Sequence, residues 1–443
     1  MFETLRNKLK DNNAVVCVIG TGYVGLPLVL GFAESGLKTI GFDTSKEKTE
    51  QLNSGNDVTG EIGSKRLSEC REKYGIEFTN DHGRISDADF VIICVPTPIR
   101  DNKEPDLSFI KGAGNIIGGK LKKGCIVILE STVYPGVTED VLKPVLERES
   151  GMLCGRDFCL GYSPERVNPG DAEHSLRDVV KIVSGTNPET TDILDSLYSR
   201  IVNAGVFKAR DIRTAEAAKV IENIQRDLNI ALVNELSIIF GKMDIDIMDV
   251  LKAAETKWNF HAYKPGFVGG HCIPVDPYYL VFRSKQLGYD PKVILTGREI
   301  NNFMPRHVAD KALEKLRKAG KDLEKSHILL LGLTFKKNVR DTRNAPVKGI
   351  ITALKESKVR ISAYEPLLEK EMIKDVFGVE SADRLDELSD IDCTITVTDH
   401  DVFEKHVSID VLKEISNPGA IIVDARRMFD PENAKKSGFV YMT

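Results

Sequence analysis

From Ala14 onward, short apolar runs alternate with amphipathic stretches: "AVVCVIG", a helical pattern from about Val24, then "LKTIGFD", "ADFVIICVP" and "GCIVILEST". Runs of this length read as buried strands, and strands alternating with helices predict a parallel sheet covered on both faces. The alternation stops near Arg213. From there to about Lys242, Ala, Glu, Leu and Ile recur at helical spacing without strand character. One helix of that extent is roughly 45 Å long, enough to join two domains. Strands resume at "SHILLLGLTF" and continue through "KVRISAYEP", "CTITVTD" and "AIIVDAR". The pattern predicts an α/β protein with two doubly wound parallel sheets joined by a long central helix. The expected domains are 1–210, 211–320 and 321–443. The two sheet-forming parts share architecture without a sequence repeat.

A chain of 443 residues exceeds one hydrophobic core and should hold two or three domains. A net charge of -5 gives no global reason to bind nucleic acid or anionic lipid, so any anion site must be local. The opening "MFETLRNKLKDNN" is charged where a secretory leader would be apolar, and no run approaches the roughly 20 apolar residues of a membrane span. A cytoplasmic protein is expected. Of its eight cysteines, Cys17, Cys94, Cys125 and Cys159 lie in strand-like runs, where a thiol behaves as a small hydrophobe. They form no disulfide framework, and neither they nor the histidines show the spacing of a metal site.

The first strand runs into "GTGYVG", which places Gly20, Gly22 and Gly25 as G-x-G-x-x-G between a strand and a helix. In that context Gly20 permits the tight turn, Gly22 lets a pyrophosphate approach the backbone, and Gly25 allows close helix–strand packing. The second strand ends at Asp43, where a carboxylate can accept from both ribose hydroxyls and repel a 2′-phosphate, which argues for NAD over NADP. Each half of the chain thus reads as Rossmann-like. Thr97 in "CVPTP" and Thr132 in "ESTV" follow later strands, at the edge where ligands collect in such sheets; either could equally be an ordinary loop residue.

Cys272 differs from the other cysteines. It follows "GFVGGH", a flexible polar backbone that a substrate could approach closely. A thiol serves a dehydrogenase when an aldehyde must be captured: addition gives a thiohemiacetal, hydride loss gives a thioester, and water releases an acid. Such chemistry needs oxyanion donors, a lowered thiol pKa and a carboxylate. Lys219, Asn223 and Arg226 share one helical face, although such a stripe is more often simply solvated. Asp276 could serve the thiol or cap the next turn, and Glu165 in "YSPERVNPG" could be a plain loop carboxylate.

In order along the chain, "GTGYVGLP", "VPTP", "STVYPG", "SPERVNPG", "EAAKVIEN", "PGFVGGHCIPVDPYYL", "GLTFKKNVRDTRNAP" and "VDAR" resemble the nucleotide-sugar 6-dehydrogenases of the UDP-glucose/GDP-mannose dehydrogenase family. The resemblance implies that Cys272 is the nucleophile, that Lys219 and Asn223 stabilise the oxyanion, and that Asp276 assists proton transfer. It implies that Glu165 and Thr132 position a water. It also implies substrate contacts from Arg166, Val167, Arg226, Gly269 and Lys336, the last at the diphosphate. Val24, Asp43, Lys48 and Thr97 would complete the NAD contacts, and Arg343 would reach the cofactor. The long helix resembles the family's dimer core, implying a homodimer or higher homo-oligomer. His271 before the nucleophile is similar to the N-acetylhexosamine branch, with His261 and Lys264 as further candidates for sugar contacts.

The expected activity is therefore a four-electron oxidation of C6 of UDP-GlcNAc, UDP-GalNAc or UDP-ManNAc, with UDP-glucose as the alternative substrate. A two-electron hydroxyacid dehydrogenase would leave Cys272 without a role. A silent nucleotide-sugar binding module would leave every catalytic position idle.

Overall fold

The computed structural model describes residues 1–166 and 175–443, so the expectation at Val167 lies outside the described residues. The described chain forms two compact units. One comprises Met1–Glu222 with Val275–Asp290, the other Asn223–Pro274 with Pro291–Thr443.

The first unit holds an eight-stranded sheet: β1 (Val15–Ile19), β2 (Lys38–Phe42), β3 (Glu77–Thr79), β4 (Phe90–Ile93), β5 (Ile126–Leu129), β6 (Cys159–Tyr162), β7 (Lys181–Gly185) and β8 (Val206–Lys208). Their spatial order is β3-β2-β1-β4-β5-β6-β7-β8. Strands β1 to β6 pair in parallel, as expected of a doubly wound sheet, while β6 and β7 run antiparallel at its far side. Successive side chains of a strand point to opposite faces. Val16 and Val18 accordingly join one core layer, while Cys17 and Ile19 join the other. Both faces are covered, which explains why the strands read as continuous apolar runs.

The second unit holds a six-stranded sheet: β9 (His327–Leu331), β10 (Arg360–Tyr364), β11 (Glu380–Ala382), β12 (Ile391–Thr396), β13 (Ser416–Val423) and β14 (Val440–Met442). All its pairings are parallel, in the order β11-β10-β9-β12-β13-β14. The chain therefore leaves β9 toward one side of the sheet and returns to the other, the Rossmann switch of direction. Ile328 and Leu330 face one core layer, Leu329 and Leu331 the other.

The central helix spans Ile212–Gly241, thirty residues, within a residue of the expected extent at each end. It begins in the first unit and continues into the second. No helix among the described residues is long and apolar enough to cross a membrane.

Candidate active site

In the first unit the parallel strands deliver the predicted cofactor residues to one edge of the sheet. Gly20 to Val24 follow β1, Asp43 follows β2, Thr97 lies beyond β4, Thr132 beyond β5 and Glu165 beyond β6. The glycines there do three different jobs. Gly20 has φ +90°, and a Cβ on it would lie 2.9 Å from Cys94 O. A Cβ on Gly25 would fall 1.9 Å from Gly20 O, so the helix packs on the strand end only because that atom is missing. A Cβ on Gly22 would meet nothing within 4 Å. That open backbone precedes the helix Gly25–Glu34, where partial positive charge favours an anion, so the turn fits a dinucleotide pyrophosphate.

Asp43 is held by four donors: Thr21 N at 3.0 Å, Thr21 Oγ1 at 3.1 Å, Lys48 Nζ at 2.9 Å and Ser45 N at 3.1 Å. Burial opposes its charge, but Lys48 and the Ser45 and Thr21 amides hold its carboxyl below the usual range. Lys48 thus sits on the carboxylate expected to meet the ribose. Val24, with Tyr23 and Pro27, lines a cavity of about 540 Å³ that Glu165 also borders.

The loops that carry Thr97 and Thr132 are fastened from behind. Tyr279 Oη donates to Thr97 O, and Ser131 Oγ donates to Val95 O at 2.7 Å. Tyr279 belongs to the helix Asp276–Gln286, which is thereby tied to the Thr97 loop. Asp276 is 3% exposed in that first turn, where a carboxylate is favoured by the helix dipole. Val275, not Asp276, holds the cap position, so the simple capping alternative does not describe it.

Three buried acids of the first unit were not anticipated, two of them at or near this edge. Glu216, on the central helix, accepts from Gly136 N at 2.5 Å, Thr138 N at 2.9 Å and Thr138 Oγ1 at 2.7 Å, tying down the "YPG" turn beyond Thr132. Burial pushes its carboxyl up to about 7 against those bonds. Glu130, directly after β5, binds Lys181 Nζ at 2.6 Å and Tyr198 Oη at 2.5 Å. Burial raises it to about 6 despite the Lys181 charge. Asp89 receives Lys8 and Lys122, each at 2.7 Å, at the opposite end of β4. A lone acid bordering an apolar run is the only sequence signal these share.

Glu165 accepts its neighbour's amide, Arg166 N, at 2.7 Å. The Arg166 guanidinium pairs with Glu222 on the central helix at 2.7 Å and donates to Val180 O at 2.6 Å, which anchors the loop it was expected to lend to substrate. On the same helix Lys219 and Asn223 are 9% and 6% exposed. Arg226 is exposed, so the stripe is solvated only at its end.

The second unit carries the thiol. Cys272 is half-buried, and the two glycines before it are explained by packing, not by open approach. A Cβ on Gly269 would lie 2.7 Å from Pro346 Cδ and 2.8 Å from Phe335 Cβ; one on Gly270, where φ is +84°, would lie 2.6 Å from the Phe335 ring. Asn344 Nδ2 donates to Gly270 O at 2.9 Å, and His271 Nδ1 stands 3.9 Å from Asp341 Oδ2. The segment before Cys272 is thus seated on 335–346, the stretch that contains Lys336 and Arg343. Arg343 forks onto Asp341 with its Nε and Nη2 at 3.0 and 2.7 Å. The other end of the thiol segment is fixed by Asn234, and that residue belongs to a buried network with Asn301, Asp227 and Arg298. His261 and Lys264 are exposed.

Residues 14–202 match the NAD binding domain of the UDP-glucose/GDP-mannose dehydrogenase family, 213–303 its central domain and 329–431 its UDP binding domain. The chain is 43% identical over 396 residues to the UDP-N-acetyl-D-glucosamine 6-dehydrogenase of Salmonella typhi, covering 89% of this chain and 92% of that one. It is 46% identical over 364 residues to the enzyme of the same name from Pseudomonas aeruginosa, covering 82% and 85%. Among solved structures, the UDP-D-ManNAc dehydrogenase of Pyrococcus horikoshii superposes with a TM-score of 0.88 at 30% identity, covering 96% of this chain and 98% of that one. With all three domains matched in order and relatives similar over most of their length, the chain belongs to the UDP-glucose/GDP-mannose dehydrogenase family.

Proposed function

We propose that the protein oxidises C6 of a UDP-N-acetylhexosamine, whether UDP-GlcNAc, UDP-GalNAc or UDP-ManNAc, to the uronate. The observation that carries this reading is the identity of 43% and 46% to two UDP-N-acetyl-D-glucosamine 6-dehydrogenases, together with a half-buried thiol just after two glycines that pack against Phe335. The residue roles are those the family resemblance implies. The C6 alcohol loses a proton and a hydride to become an aldehyde; Cys272 Sγ adds to C6 as a thiohemiacetal; loss of a second hydride leaves a thioester. Water then attacks, the C–S bond breaks, and the uronate departs as the thiolate is restored. Bound NAD would supply the acceptor for each of the two hydrides lost per sugar.

Lys219 and Asn223 lie one helical turn apart and offer an ammonium and an amide to the oxyanion. Asp276 takes and returns protons, while Glu165 and Thr132 orient the hydrolytic water. Gly20, Gly22, Val24, Gly25, Asp43, Lys48, Thr97 and Thr132 hold the NAD, with Arg343 reaching it. Lys336 meets the diphosphate, and Arg166, Val167, Arg226, His261, Lys264 and Gly269 contribute to the sugar-nucleotide site. Functionally, 1–210 serves NAD, 211–320 supplies the thiol and dimerisation, and 321–443 serves UDP.

A homodimer through the central helix is supported by Ile221, Leu232 and Ile239, which are 55%, 54% and 46% exposed. Spacings of eleven and seven residues put all three on one face of the helix. The reading carries a cytoplasmic location, where NAD and activated sugars are supplied, and a product destined for surface polysaccharide. Assaying purified protein against UDP-glucose and the three UDP-N-acetylhexosamines, counting NADH per sugar, tests it. Activity confined to UDP-glucose would contradict the N-acetylhexosamine assignment.

A further inference from the structure

Lys336 lies in the segment that leaves β9, and one imidazole straddles it. His400 Nδ1 accepts the Asn338 N–H at 3.0 Å, two residues after the lysine. Nε2 faces Glu365 Oε2 at 3.0 Å and Thr334 Oγ1 at 3.3 Å, two residues before it. A ring nitrogen that accepts from a backbone N–H carries no proton, so the ring is the neutral tautomer with its hydrogen on Nε2. Thr334 Oγ1 passes the restraint on by donating to Lys336 O at 3.0 Å.

The same segment is fastened further along. Asn338 Oδ1 accepts from Asp401 N at 3.0 Å, and Lys337 Nζ reaches Asp401 Oδ1 at 2.5 Å. Asn338 has φ +59°, a left-handed backbone that an asparagine tolerates and that these bonds hold. Glu365 gives its remaining capacity to Leu333 N at 2.7 Å and Leu367 N at 3.0 Å. The side chains of His400 and Glu365 are both 0% exposed. At that depth they act through the segment they hold.

We infer that His400 is a positioning residue for the UDP-sugar site: its ring fixes the backbone on both sides of Lys336 so that the ammonium meets the diphosphate in one geometry. This rests on the reading of Lys336 as a diphosphate contact. A lysine is a flexible point charge, so its affinity for phosphate depends on how firmly its backbone is set.

The test uses the full-length protein and UDP as titrant, followed by initial rates. His400→Gln keeps a donor where Nε2 stands but loses the acceptor for Asn338 N; His400→Asn keeps that acceptor. The first is expected to weaken UDP binding about tenfold, a charge-assisted bond's worth, and to raise the KM for UDP-sugar while kcat and the KM for NAD stay put. His400→Asn should recover most of the affinity. Thr334→Val, nearly isosteric, should shift it in the same direction by less. Wild-type UDP affinity in His400→Gln beside a weakened Lys336→Ala overturns the positioning role, as does a loss in which kcat, the KM for NAD and UDP affinity all collapse together. Wild-type affinity in Lys336→Ala overturns the reading of Lys336 itself.

Discussion

Asn234 and Gly266 are joined through both edges of one carboxamide: Asn234 Oδ1 accepts the Gly266 N–H at 2.8 Å, and Asn234 Nδ2 donates to Gly266 O at 2.9 Å. The asparagine is wholly buried on the central helix, and the glycine begins the segment that ends at Cys272. A carboxamide here replaces a strand partner for an otherwise unpaired backbone. Asn234→Ala should cost about 2–4 kcal/mol by leaving buried groups unsatisfied. Denaturant unfolding reads that loss, and rate assays should show kcat falling with the KM for NAD unchanged.

Gly22 and Gly270 should respond oppositely to alanine. Gly22→Ala adds a methyl in open space, so thermal stability should hold while NAD affinity falls. Gly270→Ala puts a side chain at φ +84° and against the Phe335 ring, costing about 1–2 kcal/mol for the left-handed backbone before any clash is relieved. Unfolding midpoints and NAD titrations on both variants separate the two effects.

Lys181→Met should destabilise the first unit by about 3–5 kcal/mol, since it leaves Glu130 buried without its cation. Adding Glu130→Gln should restore a large part, because an amide needs no counter-charge. A double-mutant cycle by chemical unfolding measures the coupling; strictly additive losses would show that the pair is not the unit.

Glu216 gives a pH signature. Its carboxyl is raised from 4.5 to about 7 by burial, so the folded state binds a proton that the unfolded state releases between those values. Its contribution is fully present below about 4.5 and is lost as pH rises through about 7, at roughly 1.4 kcal/mol per pH unit within that window. Relative to Glu216→Gln, the wild type should therefore lose unfolding free energy from pH 4.5 toward 7 and run parallel above it.

Much of the fold is legible because burial on both faces of a sheet demands continuous apolar runs such as "VVCVI" and "HILLL", while a long helix needs none. The antiparallel β7 escaped, since strand direction depends on a tertiary return that no local residue encodes. The three-residue edge strands Glu77–Thr79 and Glu380–Ala382 are too short to leave a pattern. At the site, motif residues were readable where a special backbone is required, as at Gly20. The two glycines before Cys272 showed where side chains are absent but not what fills the space, and Phe335 lies more than sixty residues away. The buried acids were invisible for the same reason: Glu130 and Lys181 are separated by 51 positions, Glu365 and His400 by 35.

Single-turnover oxidation followed by rapid quench and mass spectrometry, comparing wild type with Cys272→Ser, bears most directly on the covalent chemistry. The wild type should release two NADH per uronate and show sugar bound to the peptide carrying Cys272, and the serine variant should stall without full conversion. Uronate formed by Cys272→Ser at an undiminished rate would contradict the thioester route.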